Sequence, residues 1–191
     1  MYDWANSVYN LVINTSIFPI YYTAVTANEA NDDKVVFFGY EMVNSVLYSY
    51  AISISYLLSA MMLPLLSGIA DYTGKKKKYL KIFTTLGSIA CMSMFFFTSN
   101  NLEWGIICVV LASLGYSSGL VFYDAYLPEI APAHMTDRIS GRGYSFGYAG
   151  SAILLIISLV LIMKFEWFGF PDSGTATRTV FLLVGVWWIG F

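Results

Sequence analysis

Asp3, Asn6, Asn10 and Asn14 recur at intervals of three, four and four residues in a segment that is otherwise largely apolar. That spacing places one carboxyl and three amides on a single face of a helix. In hydrocarbon such a face must meet neighbouring helices or a water-filled cavity, because unsatisfied polar groups are costly there. A packing seam of amides would serve adhesion alone. Four polar residues exceed that need, so Asn10 and Asn14 are the expected cavity-lining solute contacts, with Asn6 nearer one gate. Pro19 is expected to bend or locally break the helix a turn later.

Two other apolar stretches carry polar stripes. Ser45, Ser49, Ser53 and Tyr56 mark one; Ser113, Tyr116, Ser117 and, two turns on, Asp124 mark the other. Serine stripes mostly permit close helix packing, yet Ser53 and Ser117 also qualify as cavity residues. Gly115 with Gly119, and Gly143 with Gly147, are small-residue pairs that let helices approach. Asp124 needs a partner, and Arg138 or Arg142 across the next loop could form an interfacial salt bridge with it, which makes these three further latch candidates.

The segment from Ser67 to Lys78 combines an acid, a glycine turn and a run of lysines between two apolar stretches. Gly74 can take the left-handed turn conformation. Asp71, with Gly74 and Lys75, is the expected conformational latch, held in one state of the protein and released in another.

Other chemistries find little support. Cys91 and Cys108 lie in apolar stretches without metal-type spacing, and His134 has no arranged Cys or Glu beside it. Phosphate loops, nucleophile elbows and zinc-protease helices are absent from the sequence, so neither an enzyme nor a cofactor is expected. The sequon Asn14-Thr-Ser16 falls inside an apolar stretch. A net charge of −2 gives no support to a nucleic-acid partner.

What must position these residues is a set of membrane helices. Of the 191 residues, 58% are hydrophobic and only 12% charged, half the share of an ordinary soluble domain. Mean hydropathy is +0.64. The charge-poor stretches predict helices over about 5–25, 47–69, 79–98, 104–127, 144–163 and 179–191. The first five suit a hydrocarbon core of about 30 Å; the sixth, 13 residues long, would rise only about 20 Å. Its uncapped, uncharged end suggests a chain that continues beyond Phe191.

Basic residues set the orientation. Lys75, Lys76, Lys77, Lys78, Lys81, Arg138 and Arg142 lie in alternate loops, against Lys34, Lys164 and Arg178 in the others. The positive-inside rule therefore places the N-terminus and both basic loops in the cytoplasm. The loop from Asn28 to Glu41, with Glu29, Asp32 and Asp33, then faces outward. The lysine run also serves as a lipid-headgroup anchor.

Gly68-Ile-Ala-Asp71-Tyr-Thr-Gly74-Lys-Lys resembles the signature loop between the second and third helices of the major facilitator superfamily, with Ser67 where a glycine is usual. Tyr2-Asp-Trp-Ala-Asn-Ser7, Ile17-Phe-Pro-Ile-Tyr-Tyr22, Phe122-Tyr-Asp-Ala-Tyr-Leu-Pro-Glu129 and Arg138-Ile-Ser-Gly-Arg-Gly-Tyr-Ser-Phe-Gly-Tyr148 are similar to its vacuole-effluxer branch, which includes bacterial relatives. The resemblance implies an all-α fold of twelve helices in two halves, this chain being the N-terminal six with the sixth incomplete. It implies alternating access for a small solute, with amino-acid efflux as the associated activity. The fourth helix lacks an arginine common in proton-coupled members, and the fifth lacks the glycine–proline pattern of drug antiporters. The expected partners are the lipid bilayer, a small-molecule solute and a C-terminal half, in a bacterial cytoplasmic membrane. The rival is a non-transporting assembly partner or an inactive gene fragment.

Overall fold

The computed structural model describes residues 2–28 and 32–190, with the side chains of Ile130 and Ala133 left out; Glu29 lies outside the described residues. One long helical rod opens the chain, but it is not α throughout. Helix α1 (Tyr2–Val8) runs into a π-helical stretch, Tyr9–Ile17, and then into α2 (Phe18–Thr26). In π geometry the backbone N–H reaches the carbonyl five residues back. Two hydroxyls follow the same rule: Thr15 Oγ1 donates to the Asn10 carbonyl at 2.8 Å and Ser16 Oγ to that of Leu11 at 2.7 Å.

Pro19 completes the explanation. It has no N–H to offer the Asn14 carbonyl five residues before it, and the Tyr48 hydroxyl donates there instead, at 3.3 Å. Pro19 itself sits in the first turn of α2, where a missing N–H is tolerated. The interruption is therefore spread along the residues before the proline, where the sequence predicted a local bend at the proline itself.

A β-hairpin follows, β1 (Lys34–Phe37) against β2 (Tyr40–Val43), turned by Phe38 and Gly39 at φ 47° and 86°. Positive φ at both central residues matches the right-handed twist of the strands. Residues 34–43 are thus a paired hairpin, and Phe37 and Met42 pack against the core. Then come α3 (Asn44–Thr73), α4 (Lys76–Ser93), α5 (Leu102–Ile130), α6 (Thr136–Met163) and α7 (Ser173–Gly190). Four of these, with α4 extended by a 3₁₀ turn over Met94–Phe96, are long and apolar enough to cross a membrane: α3, α4, α5 and α6.

The last helix starts six residues before the expected Thr179 and has 18 residues, a rise of about 27 Å. Its start is fixed by a cap. Asp172 accepts from the Thr175 N–H and the Thr175 hydroxyl, both at 2.8 Å, and Arg178 Nη2 donates to Thr175 Oγ1 at 2.9 Å. Those Thr175 bonds, the hydroxyl first, hold the Asp172 carboxyl below the ordinary carboxylate range. A folded-state pKa below the unfolded one stabilises above about pH 4 and stops doing so as pH falls through the depressed value. Asp172→Ala should therefore lower the unfolding midpoint at pH 7, and the gap to the parent should close in acid. An equal gap at pH 7 and pH 3 would remove this account of the cap.

Packing centres on α5, whose apolar window is 61% buried, against 11% for α3 and 28% for α6. Helix α5 lies against α3 and α4, α4 also against α7, and α1 against α6. Glycines make the closest approaches. A β-carbon at Gly115 would stand 2.6 Å from the Gly87 Cα and 2.7 Å from the Phe83 carbonyl oxygen. At Gly147 it would stand 2.6 Å from Ser7 Oγ, and at Gly150 2.9 Å from the Trp4 ring. Both small-residue pairs foreseen in the sequence are helix contacts. At the hairpin end, Phe18, Tyr21, Tyr22, Tyr48, Phe97 and Phe181 form one aromatic cluster.

Candidate functional site: a polar cleft with a latch at its basic end

The π stretch puts Asn10 beside α5 and α6. There Ser7, Asn10, Leu11, Tyr116, Tyr144, Tyr148 and Ser151 line a cleft of about 120 Å³. Asn14, also expected in the lining, stands one turn behind it, and its Nδ2 donates to Asn10 Oδ1 at 3.2 Å. Ser151 Oγ is committed to the Gly147 carbonyl at 2.7 Å. Three tyrosines, Leu11 and these short polar groups give a mixed surface that carries no charge.

At the end of the cleft nearer the basic loops lies Asp3, only 4% exposed. The Tyr123 hydroxyl donates to Asp3 Oδ2 at 2.5 Å, and no cation stands within ion-pair distance among the described residues. Gly143 of α6 leaves the room: a β-carbon there would strike Asp3 Oδ2 and lie 3.1 Å from the Tyr123 hydroxyl. Tyr2 stacks on Tyr123 at 4.9 Å, donates to Asn6 Oδ1 at 3.2 Å and accepts from Thr84 at 3.4 Å. Four helices, α1, α4, α5 and α6, meet in this network.

The latch stands at the same end. Helix α3 closes with Gly74 at φ 64°, the Lys75 N–H reaching the Ala70 carbonyl and the Gly74 N–H that of Asp71. These are the two bonds of a glycine-terminated helix end, and they turn the chain directly into α4. Lys76 then faces α5. Its Nζ lies 2.9 Å from Asp71 Oδ1, 2.8 Å from Glu129 Oε1 and 3.3 Å from the Ala125 carbonyl oxygen. One ammonium thus ties the ends of α3, α4 and α5 together.

Several sequence-based candidates occupy other places. The bridging cation is Lys76, not Lys75, because Lys75 takes the first position after Gly74 and points to solvent. Asp124 makes no ion pair with Arg138 or Arg142. Gly143, Gly147 and Gly150 turn one face of α6 onto α1, and both arginines fall on exposed faces away from it. Asn6 is buried in the Tyr2 network and does not line the cleft. Ser53 is exposed on α3, outside the cleft. Ser117 shares a 2.6 Å hydrogen bond with Ser59, joining α5 to α3.

The model of the family described as vacuole effluxer Atg22 like matches residues 1–191. The chain belongs to that family. It is 33% identical over 98% of its length to the uncharacterized MFS-type transporter YxiO of Bacillus subtilis, covering 42% of that protein. To autophagy-related protein 22-1 of Aspergillus clavatus it is 23% identical, over 81% of this chain and 35% of the relative. An uncharacterized protein of Aquifex aeolicus is 26% identical over 97% of this chain and 42% of its own length. The chain therefore spans about two fifths of these curated relatives. No solved structure matches it significantly.

As a member of the Atg22-like family the chain is an integral membrane protein with the six-helix N-terminal half of a major facilitator fold. Within that half, the residues missed by sequence are Tyr144 and Tyr148, Lys76 with Glu129, and the Asp3–Tyr123 pair. The tyrosines of α6 recur at an interval of four from Tyr144 to Tyr148, a periodicity that could have marked a helix face. Nothing local ties Asp3 to Tyr123, which lie 120 residues apart.

Proposed function

We propose that the chain forms one wall of the pathway of a secondary-active permease that carries a small solute by alternating access, with amino-acid efflux as the activity. The observation behind this is the polar, uncharged cleft on the π stretch, open beside the lightly buried helix α6. In such folds the solute sits between two halves, near the bilayer midplane. Asn10 and Asn14 are the solute contacts in this half, and Asp71, Gly74, Lys76 and Glu129 hold the cytoplasmic end in one state. The partners are the bilayer, the solute and a C-terminal half; the compartment is a bacterial cytoplasmic membrane with the lysine run inside.

The test is uptake of labelled amino acids into vesicles reconstituted with the full-length gene product. Asn10→Ala should lower the initial rate by roughly tenfold, the scale of one or two lost hydrogen bonds to a desolvated solute. Vesicles that take up no amino acid faster than protein-free vesicles would favour the non-transporting partner instead.

A further inference from the structure

We propose that the tyrosine-lined cleft is an ammonium-binding subsite, taking the positively charged amino end of the solute and rejecting anions. This rests on the permease reading and narrows it to one chemical class and one orientation.

The lining carries the first part of the case. Tyr116, Tyr144 and Tyr148 line the same small space as Asn10, Ser7 and Ser151. Aromatic faces attract cations and repel anions through their quadrupole, most strongly where water is scarce. Phenol, amide and hydroxyl oxygens accept the N–H donors of an ammonium. No basic side chain lines the cleft among the described residues, so a carboxylate placed there would find no ion partner.

The titratable groups nearest the cleft are acidic. Tyr144 lies within electrostatic reach of both Asp124 and Asp3, and Tyr116 within reach of Asp3. Asp3 is buried beside the cleft with the Tyr123 hydroxyl as its hydrogen-bond partner, and no basic side chain pairs with it among the described residues. The basic residues nearest in sequence, Arg138 and Arg142, are exposed on α6 and make no ion pair among the described residues. Lys77 and Lys81 line a separate groove with Tyr2 and Thr84. The cleft is therefore an uncharged, tyrosine-rich cradle with the Asp3 carboxyl beside it and no basic group in its lining among the described residues. A zwitterionic solute would enter it amino end first, its carboxylate turned toward the opposite half of the protein.

Three probes separate the possibilities when binding is measured by calorimetry on the full-length protein in nanodiscs. An amino-acid amide keeps the ammonium without the carboxylate, an N-acetyl amino acid keeps only the carboxylate, and tetramethylammonium is a bare cation. The amide and tetramethylammonium should bind and compete with each other, and the N-acetyl compound should not bind. Tyr148→Leu should weaken tetramethylammonium about fivefold, and Tyr148→Phe should restore most of that loss. Tyr148 is 72% exposed, so neither change disturbs the core.

Tighter binding of the N-acetyl compound than of the amide overturns the subsite. So does unchanged tetramethylammonium binding in both Tyr148→Leu and Tyr144→Leu. The two readings fail separately. Ammonium binding without flux leaves the subsite and removes the permease; flux of the N-acetyl compound without ammonium binding does the reverse.

Discussion

Lys76→Met should lower solute flux roughly tenfold while leaving the amount of folded protein in the membrane unchanged, a coupling effect of ordinary allosteric size. The ammonium of Lys76 bridges Asp71 on α3 and Glu129 on α5 while its own helix, α4, starts at that residue. Both carboxylates are about half exposed, at 56% and 49%, so the bridge contributes little to global stability. It is confined to the helix ends, however, and under the proposed alternating access those ends move between states. An interaction made in only one state shifts the balance between states by its full strength. Removing it therefore slows the cycle without unfolding the protein.

Three further variants make the claim specific. Asp71→Asn and Glu129→Gln should each give part of the loss, and the double variant should match Lys76→Met instead of multiplying with it. Lys75→Met should transport like the parent, since the Lys75 side chain is exposed and makes no ion pair among the described residues. Flux per unit of reconstituted protein is the measurement. Equal flux by Lys76→Met and the parent would mean that the bridge is only a surface contact.

The contrast between Lys75 and Lys76 shows how far the sequence carries. Four consecutive lysines are chemically alike, and only the geometry after Gly74 selects the one that faces α5. The helical character and the polar face of the first segment were legible because period and composition are local. The π stretch was not. It depends on Tyr48, a residue from another helix, reaching the carbonyl that Pro19 leaves open. Of the cleft, Asn10 was foreseen, while Tyr144 and Tyr148 were hidden because a tyrosine near a helix end has an ordinary interfacial explanation. Asn6, Ser53 and Ser117 were indistinguishable from Asn10 by type and spacing, and packing separates them: one is buried under Tyr2, one is exposed, one is spent on Ser59. The cap on α7 was readable in principle, since Asp172 precedes Thr175 by three residues. The absence of strong hydropathy before Thr179 masked it.

Gly115→Leu should strongly destabilise the packing of α4 on α5. A β-carbon at 115 would meet the Gly87 Cα at 2.6 Å, the Gly87 nitrogen at 2.7 Å and the Phe83 carbonyl oxygen at 2.7 Å, all of them backbone atoms. Side chains can rotate away from an intruder; a facing helix can only be pushed aside. Overpacking of a close contact ordinarily costs about 1–3 kcal/mol, and it should reach or pass the upper end here. Helix α4 cannot move outward freely either, because Gly87 is also the seat of the Trp188 ring from α7, and Trp188 stacks on Tyr9 of the π stretch at 5.1 Å. A displacement at Gly115 would therefore travel through α4 and α7 to the segment that carries Asn10. Thermal unfolding in detergent should show the midpoint falling by several degrees or more, with a loss of monodisperse protein. Gly68→Leu is the matched control, since no atom lies within 4 Å of a β-carbon placed there. If the two variants unfold at the same temperature, α4 and α5 are not in backbone contact at Gly115, and the route from that crossing to the cleft disappears with it.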